Sequence, residues 1–225
     1  MNKLWVFGDS FSATNKKNNL ENWRAQYKNW KGYTPLVWGD FLSLKTQRKL
    51  NNCAISGIDN YTLFESIIDV IDTINENDIV IIGWSSALRF RLVNKNGGFT
   101  TIRSNDHNLD NNPFTHATLT NTSQFNDISL ETITELMVNR DSVLFQYEIN
   151  RFIKIINLHL LNKCRVINWS HFQLYNNSLD IIKIDCLEHL ERIVDETKGF
   201  IKDNHYSENG HRVLSEYFYD LITKN

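Results

Sequence analysis

Apolar residues along this chain follow two rhythms, short unbroken runs and longer stretches at helical spacing, and the two alternate. "KLWVFG" (3–8) reads as a short buried strand closed by a glycine. "KLNNCAISG" (49–57) predicts a second strand, also ending at a glycine. "DIVIIGW" (78–84) is β-branched and continuous, and "CRVINWS" (164–170) predicts a further strand. Between them, "YTPLVWGDFLSLK" (33–45) reads as a helix, with Thr34 as its cap and Pro35 at the first helical position. "NYTLFESIIDVIDTI" (60–74) carries a helical apolar stripe. Helices are expected over 129–139 and 142–162. The last is "SENGHRVLSEYFYDLI" (207–222), capped by Ser207.

Continuous rather than alternating apolar strands are buried on both faces. Alternated with helices, they point to an α/β fold with a parallel sheet covered on each side. The polar stretch 92–128, rich in Asn, Thr, Ser and Asp, is too long for an ordinary connection. Segments of that kind are lids, binding loops or mobile insertions. No internal repeat interrupts the pattern.

Composition narrows the class without choosing a function. The chain has 225 residues, 41% hydrophobic and 22% charged, which suits one globular domain spanning 1–225 with an insertion. With 24 Lys+Arg against 26 Asp+Glu, nothing marks a nucleic-acid surface. Cys53, Cys164 and Cys186 form no CxxC motif, sit in apolar contexts and read as buried free thiols of a reducing compartment. The run Leu4–Phe7 is too short for a signal-peptide core, and no stretch approaches the length that spans a bilayer. The expected location is cytoplasmic or virion-associated, with no membrane partner.

Candidate chemistry gathers at the strand ends, where open α/β sheets place their sites. Ser10 follows the first strand in "LWVFGDSFSA", Gly57 closes the second, and Gly83-Trp84-Ser85-Ser86 closes the third. "KDNHYSENGH" (202–211) adds Asp203 and His205 before the last helix. A nucleophilic serine needs a base for its proton, an acid to orient that base, and N–H donors for the oxyanion. One candidate for each role stands at an element boundary.

Each has a plainer reading. Gly-Asp-Ser is common at strand-to-turn junctions, so Asp9 can be a structural acceptor of the turn as well as a substrate contact. Gly57 can be a strand-exit glycine, which is compatible with an oxyanion role. Asn60 can cap a helix or touch substrate, and Trp84 and Arg89 can stack on and clamp a sugar or simply pack. His107 and His116 read as exposed loop residues. His205 and His211 lie six apart without a further ligand set, so no metal is expected.

Together these residues resemble the SGNH/GDSL hydrolases, which carry Gly-Asp-Ser near the N-terminus and an Asp/His pair near the C-terminus. Ser10 in "FGDSFS" matches the family nucleophile, Gly57 in "NCAISGIDNYT" the second block, and His205 in "HYSENGH" the base. The resemblance runs from first strand to last helix and leaves out the insertion. It implies a three-layer α/β/α sandwich with a mostly parallel, about five-stranded sheet of flavodoxin-like type. It also implies ester hydrolysis without a cofactor: Ser10 attacks, His205 moves the proton and Asp203 orients it. The N–H groups of Ser10 and Gly57 form the oxyanion hole, and the substrate is a short acyl ester, such as an O-acetyl sugar.

Two positions depart from the family pattern. Its third block reads Gly-x-Asn-Asp, and here Ser85 or Ser86 stands in the asparagine's place, with Ser85 as the candidate third donor. The family acid stands three residues before the histidine, where this chain has Lys202; Asp203 is two before. The same features suit a rival class: an SGNH-fold module that binds a glycan or protein without turnover, similar to divergent phage-encoded proteins that are virion components.

Overall fold

The short apolar runs assemble into one sheet. A computed structural model describes residues 2–14, 22–86, 89–93, 99–103, 142–171, 181–183 and 189–224. The strands are β1 (Lys3–Phe7), β2 (Lys49–Asn52), β3 (Ile79–Trp84), β4 (Arg89–Val93), β5 (Phe99–Arg103), β6 (Arg165–Ser170) and β7 (Ile182–Lys183). Five of them form a sheet in the order β2-β1-β3-β6-β7, with every neighbouring pair parallel. The chain runs outward from β1 to β2, then crosses back to lay β3 on the other side of β1. That reversal leaves a crevice at the carboxyl ends of β1 and β3, where doubly wound sheets bind their ligands.

The strand side chains explain why the runs are continuous. Trp5 and Phe7 of β1, with Val80, Ile82 and Trp84 of β3, face one helical layer. That layer is α3 (Asn60–Ile68), a 3-10 turn (Ile71–Thr73) and α4 (Ser142–Leu160), which contributes Ile149, Ile153, Ile156 and Leu160 at helical spacing. Leu4 and Val6, with Ile79, Ile81, Ile167 and Trp169, face the other layer. There α2 (Trp38–Thr46) brings Trp38 and Leu42, and the C-terminal α6 (Glu208–Thr223) brings Leu214 and Phe218. Burying each such side chain contributes roughly 1.5–3 kcal/mol, so both faces of β1 and β3 must be apolar. The result is a three-layer α/β/α fold.

Several local expectations shift. The 33–45 helix begins at Trp38, with Val37 at its cap: Asp40 accepts a hydrogen bond from the Val37 N–H (3.1 Å), so Thr34 and Pro35 lie outside. The second strand ends at Asn52, although Cys53 and Ile55 still donate to Val6 O (2.8 Å) and Gly8 O (2.9 Å) along β1. The 60–74 helix stops at Ile68, and its cap is Asp59, which accepts from the Thr62 N–H and hydroxyl (3.0 and 2.8 Å), rather than Asn60. Ser207 caps α6 as expected, accepting from Gly210 N–H (3.1 Å).

Several elements were not anticipated, the strand β7 and the short helix Ile193–Glu196 among them. The start of the polar insertion is an antiparallel hairpin, β4 with β5, in which Phe90 pairs with Ile102; the remainder of 92–128 and the 129–139 helix lie outside the described residues. A helix α1 (Asn22–Lys31) docks through Tyr27, which packs with Ile193 and Ile201 and donates to Glu196 (2.7 Å). Its aromatics Trp23, Tyr27 and Trp30 do stand at helical spacing, diluted by polar neighbours. Cys53 is half-buried, and Cys164 is a buried free thiol; burial, then the nearby Asp78 charge, pushes Cys164 up to about 11. Cys186, His107 and His116 lie outside the described residues. No helix among the described residues is long and apolar enough to cross a membrane.

Candidate active site

The turn that carries Ser10 is built around a glycine that nothing larger can replace. Gly8 has φ +151°, and a Cβ there would lie 2.8 Å from Ser12 Oγ and 3.1 Å from Gly83 O. The chain then coils once, with Ser12 and Ala13 N–H donating to Asp9 O (3.0 and 2.9 Å) and Phe11 N–H donating to Asp9 Oδ1 (3.1 Å). Two distant side chains pin the coil: the Trp38 indole donates to Phe11 O (3.1 Å) and the Asn52 amide to Ser12 O (2.7 Å). Ser10 is thus held in a fixed turn, 7% exposed, at the carboxyl end of β1, the strand between β2 and β3. Gly57 ends the neighbouring segment with φ +74°, beside the turn that Ile55 tethers through Gly8 O.

The third strand end is a polar lock. Asp9 Oδ2 accepts from the Ser85 hydroxyl (3.1 Å) and from Arg89 Nη1 (2.8 Å), and Arg89 Nη1 also donates to Ser85 Oγ (2.6 Å). A serine hydroxyl has one hydrogen, and here Asp9 takes it. Ser85 is fully buried, so the expectation that it supplies an oxyanion donor is corrected: it couples the Ser10 turn to β4. Asp9 likewise is a buried structural acceptor rather than a substrate contact, and Arg89 Nη1 is engaged with it. Asn60 is 2% exposed and clamps the Ser85 backbone, accepting from its N–H (2.7 Å) and donating to its carbonyl (2.8 Å). Trp84 is 1% exposed, lies in the core beside α4 and donates to Asn168 Oδ1 (3.0 Å). Trp84 thus takes its packing alternative, whereas Asn60 is neither the cap of α3 nor exposed and ties that helix to Ser85; for both a substrate contact is corrected.

The histidine loop solves its unusual spacing by folding the carboxylate back on itself. Asp203 Oδ1 accepts from the His205 backbone N–H (2.8 Å) and lies 2.5 Å from His205 Nδ1. A two-residue separation is therefore enough, because the backbone bond closes a turn that aims the carboxylate at the ring. With the proton on Nδ1, Nε2 is the basic nitrogen. The loop is braced by the short α5 segment (Ile193–Glu196): Ile193 N–H donates to His205 O (2.9 Å) and Val194 N–H to Asp203 O (3.0 Å). Lys202 is exposed. Other acids nearby are turned elsewhere, Glu208 accepting from the Tyr33 hydroxyl (2.5 Å), Asp195 from Arg192 N–H (3.1 Å) and Glu191 from the Ser207 hydroxyl (2.5 Å).

Phe11 joins the two halves. Its ring lies 4.9 Å from that of His205, 5.1 Å from Tyr206 and 4.2 Å from His171, measured between centroids. His171 is the residue sequence reasoning missed. It directly follows β6, so the same strand-end rule that singled out Ser10 could have found it. Its Nδ1 is 2.7 Å from the Tyr206 hydroxyl. Burial, then the Arg192 charge, drives its pKa down to about 3, so the ring is neutral at physiological pH. His211 sits buried on α6 and packs edge-on against Tyr206, at 5.5 Å.

Neither protein-family profiles nor curated proteins match the sequence. Solved structures do share its outline. A G-D-S-L-family lipolytic protein candidate from Desulfitobacterium hafniense DCB-2 aligns over 97% of this chain and 98% of its own, with TM-score 0.44 and 13% identity. The YxiM protein of Bacillus subtilis aligns over 99% of this chain at TM-score 0.49 and 10% identity. A carbohydrate esterase, whose active site is described as having divergent catalytic and non-catalytic binding functions, aligns over 100% at TM-score 0.42 and 11% identity. This chain spans 56% of the second of these and 65% of the third. The α/β architecture itself rests on the strand order and layers described above.

Proposed function

We propose that the protein is a serine ester hydrolase that works through an acyl-enzyme, with Ser10 as nucleophile, His205 as base and Asp203 as the orienting acid. The observation that carries this reading is the 2.5 Å pair between Asp203 Oδ1 and His205 Nδ1, on a loop whose histidine ring rests against the residue after Ser10. Ser10 Oγ attacks the ester carbon as its proton passes to His205 Nε2. The N–H groups of Ser10 and Gly57 receive the oxyanion, the alcohol leaves with the proton from His205, and water releases the acid by the same route. No metal or organic cofactor enters this scheme. The polar insertion favours a short acyl group, such as O-acetyl, on a carbohydrate alcohol.

A fluorophosphonate probe tests the reading, because only an activated serine reacts. Labelling is expected on the native chain and lost in Ser10→Ala and in His205→Ala. A folded native chain that stays unlabelled overturns it.

One observation favours a second reading. The Ser85 hydroxyl is engaged by Asp9 and does not serve as a third oxyanion donor, and loss of one such donor costs about 10²–10³-fold in turnover. A glycan- or protein-binding module on this fold, as in a virion component, would tolerate that loss. Hydrolysis of a p-nitrophenyl acetate no faster than by Ser10→Ala supports this alternative.

A further inference from the structure

The amino ends of β3 and β6, at the opposite end of the sheet from Ser10, border a cavity of about 380 Å³. Its lining includes Arg48, Asn77, Asp78, Lys163, Arg165 and Ile222. Separate parts of the chain bring the cations there. Arg48 lies between α2 and β2, Lys163 in the turn that joins α4 to β6, and Arg165 at the start of β6.

The arginines are held by main-chain carbonyls. Arg48 Nη1 donates to Asn77 O. Arg165 Nη1 and Nη2 donate to Ile222 O (3.2 Å) and Leu221 O (2.6 Å), in the last turn of α6. Asn77 takes a left-handed φ of 65°, a conformation asparagine tolerates, and its N–H donates to Lys163 O (3.3 Å). The turn that holds Arg48 is thereby bonded to the turn that carries Lys163. Such bonds fix a guanidinium in place and leave it further N–H donors and its full charge. Arg48, Lys163 and Arg165 take no part in the ion pairs among the described residues. The Asp78 carboxylate is spent elsewhere. It is 3% exposed and accepts from Lys3 N–H (2.7 Å), the Trp5 indole (3.0 Å) and Asn75 N–H (3.1 Å). Three cations against that one carboxylate leave an excess of positive charge.

We propose that this cavity binds a phosphate group, either free or as the monoester of a small metabolite. A phosphate monoester carries about −1.5 to −2 charges near pH 7 and several strong acceptor oxygens. Guanidiniums meet such oxygens in bidentate fashion, and a lysine adds a point charge. A carboxylate brings one negative charge and answers less of the excess; a neutral ligand answers none of it. The volume lies within the range of small-molecule sites, so the phosphate can carry a sugar-sized body. Binding here goes beyond the esterase reading and needs no reaction at Ser10.

The test is calorimetric titration of the full native chain at low ionic strength, with inorganic phosphate and glucose 6-phosphate as probes. At least one is expected to saturate with Kd about 1 mM or tighter, and to weaken as sodium chloride is added. Tighter binding of the ester assigns a phosphorylated metabolite; equal or tighter binding of inorganic phosphate assigns the free anion. Lys163→Ala and Arg48→Ala should each weaken binding at least about tenfold, as expected for loss of a charge-assisted hydrogen bond. Arg48 also holds the Asn77 turn, so if its variant misfolds, the exposed Lys163 decides the matter alone. No saturation by either probe at about 10 mM, sodium acetate binding as tightly as both, or affinity unchanged in Lys163→Ala overturns the proposal. Fluorophosphonate labelling of Ser10 reads the esterase proposal separately, so either can fail while the other stands.

Discussion

The rings of Phe11 and His205 lie 4.9 Å apart, centroid to centroid, and so tie the turn after the first strand to the loop before the last helix. Phe11 is 9% exposed and also touches His171 and Tyr206. Its ring holds the Ser10 turn and the His205 loop in register. Phe11→Ala should cost about 3–5 kcal/mol in denaturant unfolding, as for other buried aromatics. Turnover should also fall at temperatures where the variant remains folded. Phe11→Leu should recover most of the stability and less of the activity, since it refills the volume without the flat face against His205.

Among the described residues the Asp203 carboxylate bonds only to His205 and sits half-buried at the surface, so its proposed orienting role can be separated from folding. Asp203→Asn should lower kcat by about 10²–10³-fold, less than the roughly 10⁴ seen where the equivalent change forces the wrong tautomer, because an amide oxygen can still accept from the ring. Its unfolding midpoint should move by no more than a typical surface change, within about 0.5 kcal/mol. Unchanged turnover, alongside an inactive His205→Ala, would reduce the site to a Ser-His dyad.

The Asp9–Arg89 pair is 2.8 Å long, with side chains only 6% and 13% exposed. Removing one partner strands the other as a buried charge, which typically costs about 3–5 kcal/mol. Arg89→Met should therefore be strongly destabilising, and Arg89→Lys only partly restorative, because one guanidinium nitrogen serves both Asp9 and Ser85. Paired with Asp9→Asn, a double-mutant cycle in urea should show clear coupling between the two sites.

Acid should weaken the fold through His171. In the unfolded chain its imidazole takes a proton near 6.5; in the folded chain burial and Arg192 hold that off until about 3. The neutral ring's contribution is intact above 6.5 and falls by up to about 1.4 kcal/mol per pH unit between these values. His171→Gln should flatten the stability profile over that window, measured by urea unfolding at several pH values; an unchanged slope would remove His171 as the cause. Asp78 acts in the same direction at lower pH. Burial alone would push its carboxyl up, but hydrogen bonds from Lys3 N–H, the Trp5 indole and Asn75 N–H carry it below its ordinary 3.8. Its share is present above that value and lost as pH falls through the folded one.

What the sequence by itself determined is whatever depends on near neighbours and on burial. The runs in β1, β3 and β6 had to be central strands, because side chains alternate across a sheet and both sides of these runs are apolar. Ser207 was legible as a cap because its partner, Gly210, is three residues away. Asp203 and His205 were legible as a pair, though only folding the turn showed that two residues suffice to reach Nδ1. The remaining assignments were tertiary. Ser85 finds Asp9 across 76 positions, Asn60 finds Ser85 across 25, and His171 finds Tyr206 across 35. No local pattern encodes those distances. They are set by the β2-β1-β3-β6-β7 strand order, which packs four strand ends at one edge and lets each polar side chain settle on whichever buried partner the crossover brings within hydrogen-bond reach.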